Sequence, residues 1–133
     1  MGQAFRDLQV WQRAIQLTVV IYRLTRGFPR EEVYGLSSQI SRSAVSIPSN
    51  IAEGQGRLSV GEFRQFLGIS RGSNHELQTQ LEIARSLEFG DSVLMNQAES
   101  LSQEVGKMIY ALLESLNEST SLKTGNLKLR TEN

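Results

Sequence analysis

Cysteine is absent from this 133-residue chain, and histidine occurs once, at His75. Disulfides and thiolate metal sites are thereby excluded, and a histidine-based zinc centre lacks ligands. The core must hold by packing alone. No stretch approaches the roughly 18 to 20 consecutive apolar residues of a membrane span, and the first six residues carry no apolar signal core. The expectation is a cytoplasmic protein without a membrane partner. Lysine is missing until Lys107, so every earlier base is arginine. Excess charge is missing as well, since 14 basic residues balance 14 acidic ones, but the balance is uneven along the chain. Residues 1–75 carry a net +4, residues 76–118 a net −6 and residues 119–133 a net +2. That polarity argues against a uniformly basic nucleic-acid coat and is compatible with a local basic surface or with pairing between the two halves.

Proline is scarce too, and one of the two sits where a helix should be. The run Ser46-Ile47-Pro48-Ser49-Asn50-Ile51-Ala52-Glu53-Gly54 places Pro48 inside an amphipathic pattern. An interior proline removes one backbone donor and crowds the carbonyl four residues earlier, here Ala44, at roughly 3 kcal/mol. A kink at Pro48, with the freed carbonyl satisfied by water or a side chain, is expected; a full break into two helices is the competing reading. Asn50 and Glu53 are three residues apart and share a helix face, which suits them to tying down the kink and the turn at Gly54.

Hydrophobic periodicity predicts four helices. The first, over about residues 7–26, carries Val10, Ala14, Leu17, Ile21 and Leu24, with Phe28 beyond its end. A second row, Trp11, Ile15, Thr18 and Tyr22, reads either as a broad bundle face or as a buried subunit contact. The second helix, about residues 32–53, carries Leu36, Ile40, Ala44, Ile47 and Ile51, and its serines keep another face narrow. Ser59-Val60-Gly61-Glu62 is a capping box that opens the third helix, which runs to about residue 88 through Phe63, Phe66, Leu67, Leu77, Leu81, Ala84 and Leu87. Gly68 and Gly72 interrupt that helix at about 1 kcal/mol each relative to alanine, and close approach of the serine face of helix two is the expected reason. Asp91 is a candidate N-cap for the fourth helix, with Leu94, Ala98, Leu101, Val105, Met108 and Leu112 inward. Short loops between comparable helices imply an all-α, antiparallel up-down-up-down four-helix bundle over residues 1–118, with residues 119–133 a mobile polar tail.

Besides the Pro48 run, four stretches carry a family resemblance. They are Leu8-Gln9-Val10-Trp11-Gln12; Phe28-Pro29 with Glu31 and Tyr34-Gly35-Leu36; Gly56-Arg57 to Glu62-Phe63; and Phe66-Leu67 through Arg71-Gly72-Ser73 to Glu76-Leu77. Together they make the chain resemble the four-helix-bundle family encoded in intervening sequences of bacterial 23S rRNA genes, which is similar to the accessory proteins of diversity-generating retroelements. The resemblance implies a homo-oligomer, a ring of five subunits. Retroelement relatives use a basic ring surface to engage nucleic acid and a reverse transcriptase, which would carry over here to Arg42, Arg57, Arg64 and Arg71.

The arginine pattern can also be read without the resemblance. Arg57, Arg64, Arg71 and Arg85 recur at seven-residue steps, with Gln78 in the missing place, so from Arg64 onward they form a stripe along helix three. Arg42, Arg64 and Arg71 have no acid three or four residues away, whereas Arg85 has Glu82 and Glu88. Guanidinium chelates phosphate oxygens in two-point fashion and stacks on bases, which suits RNA. The alternative is that these arginines pair with the acidic helix four or with another subunit. Aromatic residues fall mostly on core stripes, so no base-stacking platform is evident.

Catalysis finds little support. No nucleophile can be placed beside His75 from spacing, Glu62 already has a capping role, and phosphate-loop, dinucleotide and zinc-helix motifs are absent. The expectation is therefore a non-enzymatic oligomer without metal or cofactor, contacting structured RNA or a nucleic-acid-processing protein through Arg42, Arg57, Arg64 and Arg71. A protein-interaction scaffold with no nucleic-acid contact is the alternative. Pro48, Asn50, Glu53, Gly54, Gly68 and Gly72 are assigned to structure.

Overall fold

A computed structural model describes residues 4–132, with side chains described for residues 4–117. All regular structure among the described residues is helical: α1 (Gln9–Thr25), α2 (Leu36–Gln55), α3 (Val60–Ser86) and α4 (Ser92–Glu132), with 3₁₀ turns at Ala4–Asp7 and Arg30–Glu32. The predicted tail over residues 119–133 falls outside the residues whose side chains are described.

Each helix packs on its two neighbours in the cycle α1, α2, α3, α4, and no contact crosses a diagonal among the described residues. Cross-helix bonds establish the directions. Arg85 meets Asn96 and Glu99 while Asn74 meets Ser102, so α3 and α4 run antiparallel. Ser70 bonds the Ile47 carbonyl while Ser46 meets Ser73, as antiparallel α2 and α3 require. The bundle is the expected up-down-up-down one.

The apolar stripes close the core as their spacing predicts. Leu17, Ile21, Leu24, Ile40, Ile47, Ile51, Leu67, Leu77, Leu81 and Ile109 are fully buried, each stabilising by roughly 1.5 to 3 kcal/mol relative to exposure. Met95 joins them, a position outside the predicted stripe. Leu87 leaves it: it follows the last turn of α3 and is half exposed.

Local chemistry sets the helix ends. Ser59 Oγ accepts from the Glu62 amide at 3.1 Å, as the capping box predicts; Ser59 also donates its hydroxyl to the Glu62 carboxylate, 3.3 Å away. Asp91 caps α4 by accepting from the Leu94 amide at 3.0 Å. The start of α2 differs from expectation. Glu32 folds back to accept from the Leu36 amide at 3.0 Å, so its carboxylate caps the helix from outside and residues 30–32 form a 3₁₀ turn. Between α3 and α4, Gly90 holds φ +82°, where a Cβ would lie 2.7 Å from Leu24 and 2.9 Å from Phe28.

Pro48 lies buried inside an unbroken α2, so the break into two helices does not occur. The carbonyl it deprives of a partner is served from α1. Thr18 Oγ1 lies 3.2 Å from the Ala44 oxygen and 2.8 Å from its own Ala14 oxygen, so one hydroxyl proton is shared between two acceptors. Thr18→Val, which keeps the shape and removes the hydroxyl, should therefore cost about 1 to 2 kcal/mol. Pro48→Ala restores a backbone amide to Ala44, so in that background the Thr18→Val cost should shrink by about 1 kcal/mol. A double-mutant cycle by urea denaturation measures the difference, and an unchanged cost would show that Thr18 does not serve the proline.

Candidate nucleic-acid interface

The four arginines expected to form one surface are divided by the fold. Arg57 sits just past α2, where its guanidinium bonds Glu53 at 2.6 Å, reaches Glu62 at 4.0 Å and lies 4.8 Å above the Phe66 ring. It is the most engaged of the set. Arg64 is half-buried at the α3–α4 seam, donating from Nη1 to Asn117 Oδ1 at 3.2 Å, with its buried Nε unpartnered. Arg71 and Arg42 are exposed, and neither has an ion pair or hydrogen bond among the described residues.

The seven-residue stripe on α3 is real as geometry, but it faces α4. Gln78, in the place an arginine would occupy, donates to Ser102 Oγ at 3.0 Å. Arg85 makes a two-point contact with Glu99, at 2.9 and 2.8 Å, and a further bond to Asn96 at 2.7 Å. The hydrogen bond to Glu99 raises the Arg85 pKa, opposed by desolvation and aided by the charges of Glu99 and Glu82. Pairing with helix four is thus correct for Arg85, and Arg13 on α1 does the same with Glu104 at 3.0 Å.

The residues assigned to structure separate as well. Asn50 donates to both the Ser46 carbonyl, at 2.8 Å, and Ser46 Oγ, at 2.9 Å. That leaves the Ser46 proton for Ser73, 2.8 Å away on α3. Glu53 serves Arg57 rather than Asn50. Gly54 is where α2 and α3 come closest: a Cβ there would lie 2.7 Å from Phe66 Cβ and 3.0 Å from the Phe63 ring. Gly68 and Gly72 do not share that role. Both are exposed, and a Cβ at either meets nothing within 4 Å. The inward small residues of α3 are Ser70 and Ser73, two positions along from each glycine or one, and that offset turns the glycines to the opposite face.

What sequence reasoning missed lies at the other end of the bundle. The guanidiniums of Arg23, Arg26 and Arg30, like those of Arg42 and Arg71, have no ion pair or hydrogen bond among the described residues. The signal was available, because none of the three has an acid three or four positions away. The absence of an aromatic platform is also corrected: Tyr22 is 47% exposed and Tyr34 97%. Tyr22 leaves the core because its row lies beside the buried stripe of α1, where α2 covers Thr18 but not its neighbours.

Arg26 and Arg30 line a cleft of about 390 Å³ with Tyr22, Ser38 and Ser41. A second cleft of about 430 Å³ shares Tyr22, Ser38 and Ser41 and adds Arg42. The two are one groove along the α1–α2 seam, and no acidic residue lines either part. Nearer the start of α1, Phe5, Trp11, Ile15, Val45 and Ala52 line an apolar cleft instead.

Among the described residues, no group of three or more His, Cys, Asp or Glu could hold a metal ion, and no helix is long and apolar enough to cross a membrane. His75 stands exposed on α3, its carbonyl accepting from Thr79 and its imidazole making no hydrogen bond or ion pair among the described residues.

A family model described as 23S rRNA-intervening sequence protein matches residues 6–111. Among solved structures, a protein of unknown function of the S23 ribosomal protein family from Bacteroides thetaiotaomicron superimposes with a TM-score of 0.70 at 23% identity, over 78% of this chain and 97% of that one. That likeness concerns the fold. No curated protein matches the chain.

Proposed function

The chain belongs to the 23S rRNA-intervening sequence protein family, and from that premise we propose a non-enzymatic, cytoplasmic homo-oligomer, a ring of five subunits, that binds structured RNA through arginines. The observation that carries this reading is the set of surface guanidiniums with no acidic, amide or aromatic partner among the described residues, Arg23, Arg26, Arg30, Arg42 and Arg71. An exposed guanidinium already held by carboxylates gains little from a phosphate, whereas an unpaired one offers its full two-point donor set. Of the four arginines carried over from the resemblance, Arg42 and Arg71 meet that condition and Arg57 does not. Self-association is supported by the second row of α1, where Ile15 is exposed and lines the apolar cleft formed with α2.

Fluorescence anisotropy with a structured RNA, at several salt concentrations and with mass by light scattering on the same samples, tests the reading. We expect an oligomer near five times the 14.9 kDa subunit. Its affinity should fall with salt at a log–log slope of about −2 to −3, as about three phosphate contacts require. An absence of binding even at low salt would refute the RNA reading.

The second reading is a protein-interaction scaffold, favoured by the arginines that do serve ion pairs, Arg13, Arg57 and Arg85. It expects the same oligomeric mass with no RNA bound.

A further inference from the structure

We propose that the groove between α1 and α2 receives an unpaired segment of RNA, a loop or bulge, with phosphates on Arg26, Arg30 and Arg42 and a base against Tyr22. This rests on the RNA reading above and assigns it a site and a class of RNA structure.

Three features of the groove point the same way. Its three arginines come from three separate places, the end of α1, the following 3₁₀ turn and the middle of α2, yet they line one continuous groove through the shared wall of Tyr22, Ser38 and Ser41. None of the three is held by an internal acid, so no ion pair must break before a phosphate docks. Of the two neighbouring acids, Glu31 and Glu32, neither lines the groove, and the Glu32 carboxylate accepts from the Leu36 amide.

Tyr22 decides the class of nucleic acid. A half-exposed ring in the wall of a cationic groove offers a stacking face, and in a duplex the bases have no free face to give it. Uniform duplex recognition works by backbone contacts across grooves and has no use for the ring. Ser38 and Ser41 hydroxyls add neutral donors between the arginines; neither makes a side-chain hydrogen bond among the described residues. Lys107, exposed on α4, lines neither part of the groove and serves as an internal comparison.

The test compares a labelled RNA hairpin with an unpaired loop against a blunt RNA duplex of equal charge, using full-length protein. The hairpin should bind about tenfold more tightly, the worth of one stacked base. Arg26→Gln with Arg30→Gln should weaken hairpin binding about tenfold and flatten the salt slope by about 2. Tyr22→Ala should lose about tenfold on the hairpin with the salt slope intact, Tyr22→Phe should restore it, and Lys107→Gln should stay within about twofold. Circular dichroism and light scattering check that each variant keeps its fold and mass.

If wild type binds no RNA, the inference falls together with the RNA reading. If wild type binds but prefers neither RNA, or the groove variants stay within about twofold, the groove is wrong and the RNA reading stands. Displacement of the hairpin by a polyglutamate peptide at matched charge would identify an acidic protein site and overturn the inference.

Discussion

Gly54→Ala should destabilise the bundle by about 2 to 4 kcal/mol, while Gly68→Ala and Gly72→Ala should each stabilise it by up to about 1 kcal/mol. All three glycines sit within helices, so helix propensity alone predicts a gain at each. Space decides the sign. At Gly54 the new methyl carbon would lie 2.7 Å from Phe66 Cβ and 3.3 Å from the Phe63 carbonyl oxygen. Phe66 Cβ is fixed to its backbone, so no rotamer change relieves the contact. Helix α2 must move from α3, which loosens Ile51 and Leu67, both fully buried, and the Ser46–Ser73 and Ser70–Ile47 bonds further along. At Gly68 and Gly72 a Cβ meets nothing, so the propensity gain is kept. Thermal and urea denaturation of the three variants measure this. A loss at Gly68 or Gly72 as large as at Gly54 would mean that their open face is covered in the assembled protein.

Asn74→Leu is expected to cost about 2 to 3 kcal/mol, and adding Ser102→Ala should recover most of it. Asn74 is 1% exposed and Ser102 fully buried, yet every polar atom between them is paired. Asn74 Nδ2 donates to the Ser102 carbonyl at 3.0 Å, and Ser102 Oγ donates to Asn74 Oδ1 at 2.7 Å while accepting from Gln78. Room for the amide comes from Gly106, where a Cβ would stand 3.1 Å from Nδ2. Leucine keeps the branching but is bulkier, and it leaves a buried hydroxyl proton with no acceptor. Removing both partners exchanges the pair for apolar packing, which is close to neutral. The pair is also a register lock, because sliding α4 along α3 by one turn would break the Asn74–Ser102 and Gln78–Ser102 hydrogen bonds together. The double variant should accordingly be stable yet show broadened methyl resonances; a sharp, native-like spectrum would remove the register role.

The arginines show how far a one-dimensional reading extends. Spacing correctly put Arg64, Arg71, Gln78 and Arg85 on one line of α3, since seven residues are close to two helical turns. It could not say that the line abuts α4, because a partner on another helix is set by register and rotation. Arg57 shares the seven-residue spacing and is bound by Glu53, Glu62 and Phe66. Arg26 and Arg30, like Arg42, have no acid three or four positions away, but they lie off the α3 line. Their groove joins residues from α1, the turn after it and α2, a set that no single period connects.

By itself, the sequence determined four helices, their inward apolar stripes, the Ser59 and Asp91 caps, and the family. Each depends on local backbone chemistry or on the 3.6-residue period, which short-range order expresses directly. The tertiary structure alone decided which small residues make the close α2–α3 contact, which hydroxyl serves the carbonyl that Pro48 strands, and which arginines remain unpaired. Those outcomes depend on how each helix is rotated about its axis against its neighbours. That rotation is set by packing of the whole core, and no local stretch of sequence carries it.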